Sequence, residues 1–288
     1  MTLATSIVAL ALLQAAAAPL EERQLLVTVV DEKGAPVAGL TRDDVVVMEK
    51  GVARVVSRFE PDARPFDLAL VVDTSQPMAA LFRLNVVEPV LQLLGRLPAG
   101  SQHTVWTTGD RPAQLAPLGD DVAASSRALK RVVPAGGNTL LDAVVEAARG
   151  IEGREGRRPV VLVVTGAGIG FADRDRRTAV DDAAKTGAQF LALQFDESGD
   201  PDVQAAGGGQ VTRFDYDYVL SELAKRSGGR HKRVLSALAV RKSLDEMSAD
   251  LVGQYRLSYA AGSASGKLAI EIARPGATAR WSARPPAP

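Results

Sequence analysis

The middle of the chain consists of uninterrupted apolar runs that alternate with amphipathic segments. The runs at 68–72, 159–164 and 188–195 contain no regular polar positions, which is typical of strands buried on both faces of a parallel sheet. Apolar residues at helical spacing predict helices between and after these runs, at about 78–97, 120–133, 140–150, 174–186, 216–227 and 234–252. This order predicts an α/β fold with a doubly wound, mostly parallel sheet.

Both ends of the chain show a different pattern, in which short strands are joined by glycine- and proline-containing turns. Strands are predicted at 24–30, 45–48 and 52–59 before the first buried run, and at 254–260, 267–273 and 277–282 after the last helix. The two sets are similar in kind and length. We therefore predict that segments 24–60 and 254–284 pair into one small β domain, into which the α/β domain at 66–253 is inserted.

The first residues have the composition of a secretory leader. An apolar run at 7–13 is too short to span a bilayer, and the alanines after it are typical of a signal-peptide cleavage region. We predict a signal peptide at 1–18 and an exported protein, either periplasmic or extracellular. The n-region lacks Lys and Arg, and Pro19 follows the predicted cut, so an uncleaved apolar anchor is the alternative. No later stretch is apolar enough for a transmembrane span.

Composition narrows the classes of function. Lys plus Arg equals Asp plus Glu at 34 each, which gives no basic excess for binding nucleic acid. The absence of cysteine excludes disulfides, thiolate metal sites and thiol nucleophiles. The only histidines, His103 and His231, lie far apart in the sequence, and we expect surface or loop histidines rather than catalytic bases.

Polar residues follow the first buried run directly, at Asp73, Thr74 and Ser75. In open α/β sheets ligands bind beyond the carboxyl ends of the strands, so these side chains stand where a site would be. A carboxylate and a hydroxyl one residue apart offer the hard oxygen ligands that Mg²⁺ or Ca²⁺ prefers. An ordinary turn or helix cap is the simpler interpretation of the same residues.

Three separated stretches resemble one family. FDLALVVDTSQPM resembles the first metal-site motif of von Willebrand factor A domains, GGNTLLDAV resembles their threonine loop, and VVLVVTG resembles the strand that normally ends in Asp-Gly. The flanking segments are similar to those of the exported bacterial subgroup called VWFA-related domain proteins. The resemblance covers nearly the whole chain after the leader, and it implies a von Willebrand A-like fold.

The resemblance also implies a metal-ion-dependent adhesion site (MIDAS), in which Mg²⁺ is completed by an Asp or Glu of a partner protein. Of the family's ligands, Asp73, Ser75 and Thr139 match, whereas Pro77 and Thr165 replace a hydroxyl and a carboxylate. Because Mg²⁺ requires near-octahedral oxygen geometry, each missing ligand weakens the site. A degenerate site, in which the remaining polar residues only form hydrogen bonds at the strand end, is therefore favoured over a metal site.

Two classes of enzyme compete with this interpretation. The TGAGIG turn at 165–170 resembles the glycine-rich turn of dinucleotide-binding oxidoreductases, with Asp196 available for a ribose hydroxyl. The turn comes late in the domain, however, and no histidine is placed to act as acid or base. A hydrolase finds no support, since Ser75 has no neighbouring His. We therefore predict a non-enzymatic protein-binding or scaffold protein, with no catalytic residue.

Overall fold

Two packed units make up the structure, a computed structural model that describes residues 22–166, 170–195, 210–236, 238–262 and 266–282. One unit is a mostly parallel sheet with helices on both faces, and the other is a β unit built from both ends of the chain. The predicted fold class is confirmed. The domain boundaries stay a prediction, and the expected leader at 1–18 lies outside the described residues.

The described elements follow one another closely along the chain. The strands are β1 (Glu22–Val30), β2 (Val45–Glu49), β3 (Val52–Arg54), β4 (Val56–Pro61), β5 (Phe66–Val72), β6 (Gln102–Thr107), β7 (Ala113–Gly119), β8 (Arg158–Thr165), β9 (Gly170–Phe171), β10 (Gln189–Phe195), β11 (Gln210–Val211), β12 (Arg230–Val234), β13 (Gln254–Ala260), β14 (Leu268–Ile272) and β15 (Thr278–Trp281). The helices are α1 (Glu88–Leu94), α2 (Val122–Arg131), α3 (Leu140–Arg149), α4 (Arg176–Lys185), α5 (Arg213–Ser227) and α6 (Leu238–Val252).

The central sheet has the strand order β12-β10-β8-β5-β6-β7, in which β7 alone runs antiparallel to its neighbour. Every residue of β5 and β10 is buried, as the absence of alternation predicts. Parallel pairing aligns Val72 with Val164. The carboxyl ends of β5 and β8 consequently finish side by side at one edge of the sheet.

Helices bury both faces of this sheet. Helices α1, α2 and α6 pack on one face, and α3, α4 and α5 pack on the other. Each fully buried Val or Leu side chain is worth roughly 1.5–3 kcal/mol relative to exposure, so these two layers dominate the stability of the domain. Residues Ala69, Val71, Val161 and Val163 belong to the layer under α3 and α5. Because side chains alternate along a strand, Asp73 and Thr165 lie on that same face.

The β unit joins the two ends of the chain. Strand β1 pairs antiparallel with both β13 and β15, and β4 pairs with β13 on its other side. A second sheet with the order β14-β2-β3 contributes Val45, Val47 and Ile270 to the same apolar core. Phe59 and Tyr255 stack in this core with their ring centroids 4.6 Å apart.

Three local predictions differ from the structure. The helix predicted at 78–97 is divided into a π-helical segment, Phe82–Val87, and α1, in whose first turn Pro89 lies. The helix predicted at 234–252 is described from Leu238, whereas Arg230–Val234 forms the edge strand β12, whose polar sequence RHKRV carries no apolar alternation. The edge strand β7 is also absent from the prediction, because its side chains are mostly exposed or half-buried.

A buried arginine connects the two units. Arg158, the first residue of β8, is 3% exposed and donates to the backbone oxygens of Asp62 and Leu251 and to the side chain of Gln254. Its guanidinium group also lies over the ring of Phe66, 4.3 Å from the centroid. Burial lowers the pKa of Arg158 to about 10, against the opposing effect of Asp62.

The carboxylate of Asp62 contacts two arginines at this junction. Its Oδ2 atom lies 2.8 Å from Arg64 and 3.7 Å from Arg158. Burial opposes ionisation of Asp62, but the hydrogen bonds and charges of the two guanidinium groups hold the pKa of its carboxyl below its usual value. The ionised carboxyl therefore stabilises the folded state.

Asp62→Asn should lower the free energy of unfolding by about 3 kcal/mol at neutral pH, because Arg158 would remain buried without a carboxylate. Since the pKa of Asp62 is depressed in the folded state, this contribution is present above the unfolded pKa and is lost as the pH falls through the folded pKa. Urea unfolding of the wild type and of Asp62→Asn at several pH values measures the difference in their free energy of unfolding. The exposed Asp43→Asn is the control, and an Asp62 effect that persists in acid would contradict the prediction.

Candidate functional site

Asp73 lies at the carboxyl end of β5 and is 1% exposed. The Asp73 carboxylate lies at the sheet edge where this apolar strand ends, on the face covered by α3 and α5. The backbone N–H of Asp73 donates to the carbonyl of Val164, which ties this position to the end of β8. The side chain is thus held in the interior of the edge rather than projecting from it.

Five donors surround the Asp73 carboxylate. Oδ2 accepts from the Asn138 side-chain amide at 2.8 Å, from the Thr165 hydroxyl at 2.9 Å and from the Gly166 N–H at 3.0 Å. Oδ1 accepts from the Ser75 N–H at 2.8 Å and from the Thr108 hydroxyl at 3.4 Å. A buried carboxylate is costly unless it is paired or well hydrogen-bonded. Here neutral donors from several loops supply that stabilisation.

The loop before α3 is held against the loop after β5 by backbone hydrogen bonds. Ala135 donates to the carbonyl of Thr74 at 2.9 Å, and Gln76 donates to the carbonyl of Gly136 at 3.3 Å. Gly136 has φ +74°, and a Cβ there would lie 2.4 Å from a carboxylate oxygen of Asp110. The glycine is therefore needed for the loop to bring Asn138 to Asp73.

The structure brings the predicted residues to one edge but gives them unequal roles. Ser75 is buried and contacts Asp73 through its backbone, and Thr165 contacts it through its hydroxyl. Thr139 is the N-cap residue of α3, and its Oγ1 atom is buried without a hydrogen-bond partner among the described residues. The contact to Asp73 comes instead from the preceding residue, Asn138, whose own Oδ1 atom is also unpaired in the described chain.

Pro77 lies in the turn Gln76–Met78 and offers no hydroxyl to the site. Asp110 lies beside the same loop and accepts from the Gly137 N–H, and within the described part of the chain no three His, Cys, Asp or Glu residues form a group able to hold a metal ion. Both oxygens of Asp73 already accept hydrogen bonds, and the unpaired oxygens of Thr139 and Asn138 are neutral. This donor set does not fit the octahedral oxygen shell that Mg²⁺ requires.

Tight packing explains the glycine at the end of the TGAGIG turn. A Cβ at Gly170 would lie 1.7 Å from the Tyr216 hydroxyl and 2.4 Å from the Asn138 carbonyl. Burial raises the pKa of Tyr216, and the charge of Asp73 adds to this effect, so the hydroxyl stays a neutral donor. Residues 167–169 and Asp196 lie outside the described residues. Strand β9 separates the turn from α4, which begins at Arg176 rather than directly after the glycines.

The histidines lie in strands rather than in the expected loops. His103 of β6 is buried and contacts Ser125 at 2.8 Å. His231 of β12 contacts Ser221 and the side chain of Gln194, each at 2.9 Å. Burial lowers the pKa of both imidazoles, which favours their neutral form. Each imidazole therefore forms hydrogen bonds with neighbouring side chains of the α/β unit.

Exposed apolar side chains surround this edge of the sheet. Phe171, the second residue of β9, is 51% exposed, and Phe214 is the second residue of α5. Leu235 directly follows β12, and Leu238, which begins α6, is 90% exposed. We call these four residues the apolar rim. A depression of about 450 Å³ lies between the beginnings of α3, α4 and α5 and is lined mainly by charged residues.

One family profile matches the sequence. Residues 68–169 match the profile described as von Willebrand factor type A domain, and this range includes most of β5, the loop before α3 and β8. The matched region therefore contains Asp73, Asn138, Thr139 and Thr165. No curated protein matches the chain significantly.

Solved structures share the fold at low sequence identity. A von Willebrand factor type A structure from Catenulispora acidiphila is 11% identical with a TM-score of 0.53, covering 93% of this chain and 75% of that chain. Proximal thread matrix protein 1 from the mussel byssus, solved with a zinc-occupied MIDAS motif, is 16% identical with a TM-score of 0.52, covering 74% of this chain and 50% of that chain. Conserved hypothetical protein BatB from Bacteroides thetaiotaomicron is 18% identical with a TM-score of 0.48, covering 65% of this chain and 98% of that chain. The first two of these similarities show the fold alone.

Thr165→Val should lower the free energy of unfolding by about 2 kcal/mol, because the buried Asp73 carboxylate loses a hydroxyl donor while the shape of the side chain is kept. Chemical unfolding of both proteins measures the difference. Thr278→Val, at an exposed position of β15, makes the same chemical change as a control. Equal stability of the Thr165 variant and the wild type would show that the hydroxyl does not support the carboxylate.

Proposed function

Since this chain contains a von Willebrand factor type A domain at residues 68–169, we propose that it is a non-enzymatic binding or scaffold protein that meets another protein through the apolar rim. The observation that carries the proposal is the exposure of Phe171, Phe214, Leu235 and Leu238 at the edge that also holds Asp73. Monomeric proteins rarely leave large apolar side chains clustered in solvent, and aromatic residues are enriched where proteins bind each other.

The strand order places these residues within a few strand spacings of one another. Strands β12, β10 and β8 are adjacent, and neighbouring strands lie about 4.8 Å apart. The rim residues follow β8 and β12 or begin α5 and α6, so they span a width of only a few strands. Charged groups of the depression beside them, including Arg174, Arg176 and Asp175, would supply a polar border.

We propose that this surface works without a metal ion. The Asp73 carboxylate is engaged by neutral donors, and Pro77 and Thr165 stand at two positions where the resemblance implies metal ligands. The alternative is a Mg²⁺ site formed by Asp73, Ser75 and Thr139, which would bridge to an Asp or Glu of the partner. The unpaired Thr139 hydroxyl is the one feature that favours this alternative.

We also propose that the protein is exported to the periplasm or beyond. The apolar and alanine-rich residues at 1–18 support export, since they have the order of a signal peptide. No helix among the described residues is long and apolar enough to cross a membrane. Determining the amino-terminal residue of the protein recovered from the cell envelope would distinguish a cleaved leader from a retained anchor.

The competing function is a nucleotide-dependent oxidoreductase that uses the turn at 165–170. The close packing of Gly170 against Tyr216 supplies a structural reason for a glycine there without any nucleotide. Titration calorimetry with NAD(H) separates the two proposals. We expect no binding, and saturable binding that is lost on changing the turn would favour the oxidoreductase.

Mg²⁺ or Mn²⁺ at millimolar concentration should not raise the melting temperature of the wild type or of Asp73→Ala. In Pro77→Ser/Thr165→Asp, which restores a hydroxyl and a second carboxylate, Mg²⁺ should raise it by about 3 °C or more, since the ion relieves repulsion between the carboxylates. Thermal unfolding with and without EDTA measures both effects. Stabilisation of the wild type that disappears in Asp73→Ala would instead support metal binding by Asp73, Ser75 and Thr139.

Phe171→Glu/Leu238→Glu should weaken partner binding by at least about tenfold, since charges at the centre of an apolar interface leave buried groups unpaired. Photocrosslinking of envelope proteins to the purified protein, quantified by mass spectrometry with and without EDTA, identifies and ranks partners. Val52→Glu/Val55→Glu, at exposed positions of the β unit, is the matched control. Loss of the same partners in the control, or their retention in the rim variant, would contradict binding at the rim.

A further inference from the structure

A second cavity lies at the opposite edge of the central sheet, away from Asp73. It occupies about 460 Å³ beside the amino ends of β8 and β10 and is bordered by the carboxyl ends of α4 and α5. Leu26 of β1 and Ser282 after β15 close it from the β unit. Cavities of a few hundred cubic ångströms at the junction of two units are common positions for small-molecule sites.

The lining of this cavity is mainly apolar. Pro159, Ala184, Phe190 and Leu223 contribute to its wall together with Leu26. These residues come from a strand of each unit, from the start of β10 and from both helices, so their arrangement depends on how the units pack. An apolar wall of this kind favours a ligand whose body is hydrocarbon or aromatic.

The charged residues that border the cavity are already paired. Arg64 contacts Asp62 at 2.8 Å, and Arg226 contacts Asp181 at 2.8 Å. Lys185 contacts Asp182 at 2.9 Å. Lys185 and Arg226 also lie in the last turns of α4 and α5, where a cation offsets the negative end of the helix dipole. Little charge is left to attract an ionised ligand.

One buried polar atom at the cavity has no hydrogen-bond partner among the described residues. Gln189, which is 5% exposed, donates through Nε2 to the carbonyl of Gly228 at 3.3 Å, and this contact fixes its amide orientation. Its Oε1 atom is left as an unpaired acceptor, whereas the guanidinium group of the neighbouring Arg158 is engaged by Asp62, Leu251 and Gln254. An unpaired buried polar atom costs roughly 1–3 kcal/mol, so Gln189 would gain from a partner.

The free atom of Gln189 determines what a ligand must offer. Gln189 is the first residue of β10 and borders the cavity. Because its Nε2 is taken by Gly228, the remaining Oε1 atom can only accept a hydrogen bond. A primary carboxamide has N–H groups to donate, whereas a carboxylate of the same shape has none.

We propose that this cavity binds a neutral, mainly apolar small molecule through one hydrogen-bond donor, such as the N–H of a carboxamide. The apolar body lies against Leu26, Phe190 and Leu223, and the donor lies toward Gln189. The site is independent of the apolar rim, because the two lie at opposite edges of the sheet. Failure of one proposal leaves the other intact.

Titration calorimetry of the full chain with 4-phenylbutyramide tests the proposal, and 4-phenylbutyrate provides a probe of the same shape with a charge. We expect the amide to bind with a Kd below about 1 mM, a typical affinity for a ligand of this size, and the carboxylate to bind at least about tenfold more weakly. Equal or tighter binding of the carboxylate would overturn the neutral-ligand assignment. No saturable binding of the amide would mean that the cavity holds only water and would overturn the site.

Ala184→Trp, which fills the cavity from the end of α4, should reduce binding of the amide by at least about tenfold. Ala123→Trp places the same side chain on the exposed face of α2 and should leave binding unchanged. Circular dichroism establishes that both variants fold. Should Ala184→Trp fail to fold, amide-resonance shifts on the wild type replace it: shifts at Ala188 and Gln189 support the site, and shifts confined to other residues overturn it.

Discussion

The carboxyl edge of the sheet depends on one buried carboxylate and the donors that surround it. Asp73 is taken out of water by an apolar strand, and the cost is offset because neutral N–H and O–H groups from the loops after β5, β6, β8 and before α3 point at its two oxygens. Each of those loops is consequently held in place by the same side chain. The edge is rigid at its centre, and its exposed apolar residues are carried by the segments around that centre.

This arrangement changes what the edge can recognise. A bound divalent ion would present a positive charge to a partner and would favour a carboxylate. A carboxylate already satisfied by hydroxyl, amide and backbone donors presents no such charge, so in the function that we propose the partner is recognised by the apolar rim and its polar border. The second cavity uses different chemistry at the other edge, where the β unit covers the amino ends of β8 and β10. The two ends of one sheet can therefore serve separate tasks.

The parts of the structure that follow from strong patterns were predictable from the sequence. The unbroken apolar runs of β5, β8 and β10 indicated a parallel sheet, and parallel register then placed Asp73 beside Thr165. Strand β12 was not predictable, because an edge strand with the sequence RHKRV is polar and shows no period. The contact of Asn138 also escaped sequence reasoning, which selected its neighbour Thr139 as a metal ligand. An asparagine after two glycines reads equally well as part of a turn, and only the loop geometry shows where its amide points.

The position of β1 between β13 and β15 has a consequence for biosynthesis. The first described strand cannot find either partner until more than two hundred residues have followed it, since Val27 pairs with Tyr255 and with Trp281. During synthesis the α/β domain can fold before β1 is paired, while the apolar side chains of β1 are still exposed. Such a chain leaves an aggregation-prone strand unpaired until β13 and β15 have been synthesised, and it would gain from a chaperone that shields β1 until then.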